Sequence, residues 1–360
     1  MAIETAGAPA IDHDKLMAFM GQVVGELGAA VNAGLIVIGD RLGLYRGLSG
    51  AGPTTAAELS RRTGTSERYV REWLNAQAAG GYVDYDASAD RYTLSGEHAM
   101  ALADESSPAF VGGAFQLALA TLKATPEIET AFRTGRGFGW HEHDEGVLIG
   151  CERFFRPGYA ANLLSTWLPA LDGVTEKLRV GATVADVGCG LGATTRLMAQ
   201  AFPRSTFAGF DYHAHSVELA RQETGEAGLD GRIRFEVAPA AAFPGTGYDL
   251  VTMFDCLHDM GDPVGAAGHV HRALAPDGTW LIVEPLAGDA VQENLNPLGR
   301  AYYAFSTLLC VPNSLAQEVG LALGAQAGEA RIRDAVEKAG FTRFRRVSES
   351  LMNAVYEVRP

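Results

Sequence analysis

The sequence predicts an α/β fold, in which a doubly wound parallel sheet closes with a C-terminal antiparallel hairpin and follows a smaller, mainly α domain. Three observations predict it. From Val180 onward, short apolar runs at 183–187, 206–210, 233–237, 249–254 and 279–284 alternate with amphipathic helical stretches, the rhythm of a parallel sheet covered on both faces. Two further strand-like runs, 342–347 and 352–358, are separated only by Ser348-Glu349-Ser350-Leu351, a gap that permits only a hairpin. Upstream, residues 54–94 carry a helix-turn-helix pattern followed by two short strand-like segments. The expected organisation is a domain over 1–105, a helical connector and pocket wall over 106–179, and the sheet domain over 180–360 with an insertion at 286–328.

Taken in order, Leu16, Phe19, Met20, Val23, Val24 and Leu27 lie at helical spacing, so residues 14–48 read as helices broken at small residues. Thr54 to Leu59 opens the next helix, Thr63-Gly64-Thr65 turns the chain, and Ser66 is the expected cap of a helix through Tyr69, Val70, Trp73 and Leu74. Tyr82-Val83-Asp84-Tyr85 and Arg91-Tyr92-Thr93-Leu94 flank a polar tip, so a two-stranded wing follows and the unit has the pattern of a winged helix. Residues 106–180 read as helical apart from a Gly- and His-rich loop at 135–150. The run 286–328 is longer than an ordinary connection, and such insertions commonly build a ligand pocket. Asn294, Asn296, Arg300, Tyr302, Tyr303, Thr307 and Cys310 are its candidate contributors.

Composition narrows the partners. With 29 Lys and Arg against 43 Asp and Glu, the formal charge of −14 repels nucleic-acid backbones and anionic membranes and favours a small-molecule partner. Residues 1–110 alone carry eight Lys and Arg against fourteen Asp and Glu, so a DNA-binding role for the winged helix is disfavoured. No apolar run reaches the roughly 18 residues that span a bilayer. Met1 to Ala10 lacks the basic start and apolar stretch of a secretory leader, so a cytoplasmic location is expected. Cys151, Cys189, Cys256 and Cys310 form no CxxC pair, and Trp140-His141-Glu142-His143-Asp144 reads as a polar loop, so free thiols and no metal are expected.

The chemistry concentrates at Asp186-Val187-Gly188-Cys189-Gly190-Leu191-Gly192, which ends the first run and opens a helix. Glycines there permit positive φ and let a nucleoside-bearing ligand approach the main chain. The spacing alone also satisfies the GxGxx(G/A) pattern of dinucleotide sites, which leaves a nicotinamide-dependent oxidoreductase as an alternative. Asp186 two residues before the first glycine, the third glycine at 192 and the closing hairpin together resemble class I methyltransferases, whose Rossmann-like sheet has seven strands. That resemblance implies S-adenosylmethionine as cofactor and S-adenosylhomocysteine as product. It implies contacts from Asp186, Gly188 and Gly190 to the methionine part, with Cys189 beside them, and from Asp211, followed by Tyr212, to the ribose hydroxyls. Where relatives place an adenine-binding acid, this chain has Ala240, so main-chain groups at Ala240 and Ala241, with Phe243 on the ring, are expected instead. Phe254 and Asp255 end the fourth run at the same edge, and Tyr159 is a candidate against the cofactor carboxylate.

The stretch Phe254-Asp255-Cys256-Leu257-His258-Asp259-Met260, with the winged-helix pattern, resembles plant-type and bacterial small-molecule O-methyltransferases. The resemblance implies His258 as general base, Glu284 as the acid that orients it, and a second acid before Ala339-Gly340-Phe341. Counting back from that turn lands on Gln326, and the nearest acid is Glu329. It also implies a homodimer through the N-terminal domain and a small, aromatic or polyketide-like hydroxyl acceptor. A transcription regulator whose C-terminal domain senses a metabolite is the competing class.

Overall fold

The computed structural model describes residues 11–360, so the leader reading of Met1–Ala10 lies outside the described residues. The chain divides into two compact units, one ending at Phe115 and one spanning Gln116–Pro360.

In the first unit a helix runs unbroken over His13–Arg41, capped by Asp12, whose carboxylate accepts from the amides of Asp14 and Lys15. The breaks expected at small residues are absent: helical hydrogen bonds carry the chain through Gly21, Gly25, Gly28 and Gly34, none of which is crowded. The turn comes later, at Gly43, where φ is 70°. This helix is also long and apolar enough to cross a membrane by length and composition, which corrects the reading of the bare sequence. Its apolar side chains stand in the open: Phe19 is 58% exposed, Leu27 64% and Val31 66%. Its C-terminal end is the anchored part. Gly39 lets the Trp73 and Tyr45 rings approach, Trp73 Nε1 donates to Leu35 O at 2.8 Å, and Gln77 links Tyr45 Oη to Asn32.

The helix-turn-helix forms as Ala56–Thr63 and Glu67–Ala79. Thr55 and Glu58 cap the first helix reciprocally, whereas Ser66 sits at the cap of the second without a side-chain bond. Strands β1 (Asp84–Asp86) and β2 (Arg91–Thr93) pair as the wing.

The second unit contains a seven-stranded sheet: β3 (Thr183–Val187), β4 (Thr206–Asp211), β5 (Ile233–Val237), β6 (Tyr248–Phe254), β7 (Leu274–Pro285), β8 (Arg343–Glu349) and β9 (Asn353–Arg359), in spatial order β5-β4-β3-β6-β7-β9-β8. β3 to β7 are mutually parallel, and β9 enters antiparallel between β7 and β8. Period-two alternation builds two cores. Val184, Phe207, Leu281, Val283 and Val355 pack into one, and Ala185, Ala208, Trp280, Ile282 and Tyr356 into the other. The predicted 135–150 loop ends early, because Asp144 accepts from the amide of Gly146 and starts the helix Glu145–Asn162.

The chain's direction of progression along the sheet reverses between β3 and β6, the switch point at which open sheets bind ligands beyond the strands' carboxyl ends. Phe235 of β5 shapes that edge from below, since its ring occupies the space that side chains at Gly192 and Gly209 would need. A Gly209→Ala Cβ would stand 2.4 Å from the ring. The variant is expected to lose about 1–3 kcal/mol through overpacking, measured as a lower denaturant midpoint at unchanged slope.

Candidate active site

A cavity of about 540 Å³ opens beyond the carboxyl ends of β3, β4, β5 and β6, a size suited to a cofactor with a small partner. Its lining includes Gly188 to Leu191, Asp211, Tyr212, Ala238 to Ala241 and Phe254 to Cys256, together with Asp259, Met260, Trp140, Phe155 and Tyr159. Thus Tyr159, Gly188, Cys189, Gly190, Asp211, Tyr212, Ala240, Ala241, Phe254 and Asp255 are brought together. Asp186, Phe243, His258, Glu284 and Glu329 are not among the lining residues.

The three loop glycines have separate tasks. All have positive φ, at 73°, 52° and 75° for Gly188, Gly190 and Gly192. A Cβ at Gly188 would collide with Cys256, and one at Gly192 with Phe235, so these two serve packing. At Gly190 the space is open, so this is where a ligand can approach the main chain.

Asp186 lies beneath the loop and is buried, accepting from Thr194 Oγ1 at 2.7 Å, Thr195 Oγ1 at 2.6 Å and Thr252 Oγ1 at 2.8 Å. It ties β3 to β6 and to the helix Ala193–Ala201. At the end of β4, Asp211 accepts from the amides of Gly190 at 2.9 Å and His213 at 2.8 Å, which orient its carboxylate while two lone pairs remain for a vicinal diol. Ala238 to Ala241 leave the cavity wall beyond β5 apolar. Phe243 instead stacks on Phe210 inside the core, so it supports that wall from behind.

The turn after β6 holds His258, buried at 4% exposure. Its Nδ1 donates to Glu284 Oε2 at 2.5 Å, and the amide of Leu257 donates to the other Glu284 oxygen at 2.8 Å. Nε2 faces Asp259 Oδ1 at 3.2 Å, and it is Asp259 that lines the cavity. Burial alone would disfavour the imidazolium, but the carboxylates of Asp259 and Glu284 outweigh it and hold the His258 pKa well above the ordinary value. Glu329 is elsewhere, paired with Arg333 at 2.6 Å in the first turn of the helix Gly328–Lys338. Gln326 donates locally to Ala325 O.

From the 286–328 insertion the cavity takes Asn313, Gln317, Glu318 and Val319, and none of the seven polar and aromatic residues singled out from the sequence. Asn313 joins three parts: its Oδ1 accepts from Tyr212 Oη and from the amide of Trp140, both at 3.0 Å, and its Nδ2 donates to Asp259 O at 3.2 Å. Nothing in its sequence neighbourhood marks it. Adjacency to His258 is the signal that could point to Asp259.

Comparison with known proteins gives the family of both units. Residues 30–104 match the family described as an Rv2258c-like winged HTH domain, and residues 178–320 match that described as a methyltransferase domain. Nocamycin O-methyltransferase of Saccharothrix syringae is 30% identical over 209 residues, which cover 55% of this chain and 69% of that protein. The chain belongs to the methyltransferase family. Demethylspheroidene O-methyltransferase of Rhodobacter capsulatus is 29% identical over 46% of this methyltransferase, which spans only 38% of that relative's length. Human N-acetylserotonin methyltransferase, solved with SAM, shares the fold at a TM-score of 0.70 and 17% identity, covering 98% of this chain and 99% of its own.

Asp255 also lines the cavity of this methyltransferase. It has a left-handed backbone, with φ of 49°, at the end of β6. Tyr159 Oη donates to Oδ2 at 2.7 Å, and Asn353 Nδ2 donates to Oδ1 at 2.8 Å. Burial, then the neighbouring Glu284 charge, push its pKa up to about 7 against the Tyr159 bond. A carboxyl raised in the folded state stabilises fully below its unfolded pKa, and that stability is lost as pH rises through about 7. Asp255→Asn cannot ionise, so the ligand-free variant is expected to gain up to about 2 kcal/mol over the parent near pH 8 and progressively less toward pH 5, read from denaturant midpoints.

Proposed function

We propose that this chain is an S-adenosylmethionine-dependent methyltransferase that methylates a hydroxyl of a small, aromatic or polyketide-like acceptor, with His258 as general base and S-adenosylhomocysteine as product. The observation that carries the reading is one cavity bearing Asp211 beside an uncrowded Gly190 and, past β3 at the end of β6, Asp259, behind which the His258–Glu284 pair lies buried. The residues present fit the cofactor: Asp211 suits its ribose diol, Gly190 leaves the main chain open, and Ala238 to Ala241 offer an apolar wall to the adenine. When bound, S-adenosylmethionine supplies the methyl group on a positively charged sulfur.

The protein's part is positioning and proton removal. Glu284 fixes the ring of His258, leaving Nε2 to take the hydroxyl proton on the side where Asp259 meets the cavity. The two carboxylates make the imidazole a strong base, and it must be neutral to act. Turnover is therefore expected to rise with pH above neutrality. Glu284→Gln, which removes one stabilising charge, should move that rise to lower pH. His258→Ala is expected to lower kcat about 10²–10⁴-fold while S-adenosylmethionine still binds by calorimetry, and full retained turnover would remove the base assignment. The same calorimetry with NAD separates this reading from an oxidoreductase, for which NAD alone would bind.

The winged-helix unit supports dimerisation over DNA binding. On its second helix Arg68 pairs with Glu72 and Arg71 with Glu67, so the arginines are neutralised on their own helix, and Asp84, Asp86 and Asp90 surround the wing. The exposed apolar side chains of His13–Arg41 suit a second copy of the same helix. Sedimentation is expected to give a dimer that a Phe19→Glu/Leu27→Glu variant dissociates. A monomeric parent protein would contradict the proposal.

A further inference from the structure

The cavity has an unbalanced charge where β3 meets β6. Asp255 and Asp259 line it there with Glu284 buried behind them, and the neighbouring cation, His258, is already held between Glu284 and Asp259. Arg156, the cationic side chain of the lining, pairs with Glu152 at 2.8 Å. Asp255 both lines the cavity and is held from two other elements. Its carboxylate is fixed by Tyr159 from the helix Glu145–Asn162 and by Asn353 from β9, and its left-handed backbone is a strained geometry for a residue with a Cβ. Strain of that kind persists where surrounding structure enforces it and clusters at ligand clamps. A carboxylate raised by burial among other acids, in contact with a ligand cavity, is complementary to a positive charge carried by the ligand.

The order of the strands says which positive charge. Along the edge, the apolar wall lies beyond β5, Asp211 ends β4, the glycine loop ends β3, and Asp255 ends β6. A cofactor with its base at β5 and ribose at Asp211 brings the atom bonded to the ribose's far carbon toward the glycine loop and β6. In S-adenosylmethionine that atom is the sulfonium. We propose that Asp255 reads the charge on the cofactor sulfur, so that its carboxylate favours cationic S-adenosylmethionine over S-adenosylhomocysteine, whose sulfur is neutral. The inference rests on the cofactor assignment above. Methyl transfer breaks the bond from sulfur to the methyl carbon and forms one from that carbon to the acceptor oxygen, and the electron pair left on sulfur cancels its charge. The reaction thereby removes the partner of Asp255, which loosens the product and assists its release.

The charged and titratable groups facing Asp255 are Tyr159, Cys151, Cys256, His258, Asp259, Glu284 and Tyr302. Since the free carboxyl titrates near neutrality, binding a cation beside it requires its ionised form. Affinity for S-adenosylmethionine should then rise from about pH 5.5 to 7.5 with proton release, while that for S-adenosylhomocysteine stays comparatively flat.

The test is calorimetric titration of the full-length protein with each ligand, in two buffers of different ionisation enthalpy. Asp255→Asn is expected to weaken S-adenosylmethionine about tenfold and S-adenosylhomocysteine less than about threefold, and to abolish the difference in proton release. Tyr159→Phe serves as a second variant should Asp255→Asn fail to fold. Loss of the donor that favours the charged carboxylate should displace the pH rise upward for S-adenosylmethionine alone. Parallel loss of both affinities, or an unchanged ratio, overturns the proposal, because the amino and carboxyl groups shared by the two ligands would then account for any contact. If the parent protein binds neither ligand, the cofactor assignment itself fails, an outcome distinct from binding both with equal preference.

Discussion

The carboxylate of Asp186 is the constraint on which the site depends. Buried near the end of β3, an inner strand of the sheet, it would be costly without donors, and three threonine hydroxyls supply them. Two come from the helix that follows the glycine loop and one from β6, so a single satisfied acid holds together the strand, the helix and the neighbouring strand at the switch point. The loop between them has little freedom left. Its positive φ angles follow, Cys256 and Phe235 fill the space beside its outer glycines, and Gly190 is left to turn its amide onto Asp211.

Four acids then occupy one edge of the sheet, each kept there by a different device. Asp186 uses hydroxyls, Asp211 backbone amides, Glu284 an amide and an imidazole, and Asp255 a phenol and a carboxamide. Desolvation pushes Asp186, Asp211 and Asp255 upward alike, and the donors decide how far each resists. The result is an edge rich in negative charge inside apolar walls, which stabilises a bound cation more than bulk water would. Asn313 extends the same edge outward by joining Tyr212, Trp140 and the turn that carries Asp259.

Much of the fold was legible because its determinants are local. Strands β3, β4 and β5 fall on the apolar runs read from the sequence, and the short gap after 347 requires the hairpin that inserts β9 beside β7, although β8 runs on through Ser348 and Glu349 so that only residues 350–352 make the turn. Glycine is a poor helix former, so the sequence alone breaks the stretch that folds as the single helix His13–Arg41. An intact ladder of hydrogen bonds overrides that preference at four glycines, and only Gly39 meets close neighbours. Its place after β5 suggests Phe243 as a ring against adenine, yet Phe243 stacks on Phe210 of β4, a pairing no spacing reveals.

By itself the sequence determined the parallel sheet, its closing hairpin, the glycine loop and the acids at the strand ends, because side-chain period, gap length and tolerance of positive φ act within a few residues. Only the tertiary structure decided which of those residues face the cavity. Asp186 turns inward to three hydroxyls, His258 lies behind Asp259, and Asp255 meets Tyr159 and Asn353 from 96 and 98 positions away. Burial and hydrogen-bond satisfaction are settled by what packs alongside, and that is a property of distant segments brought together.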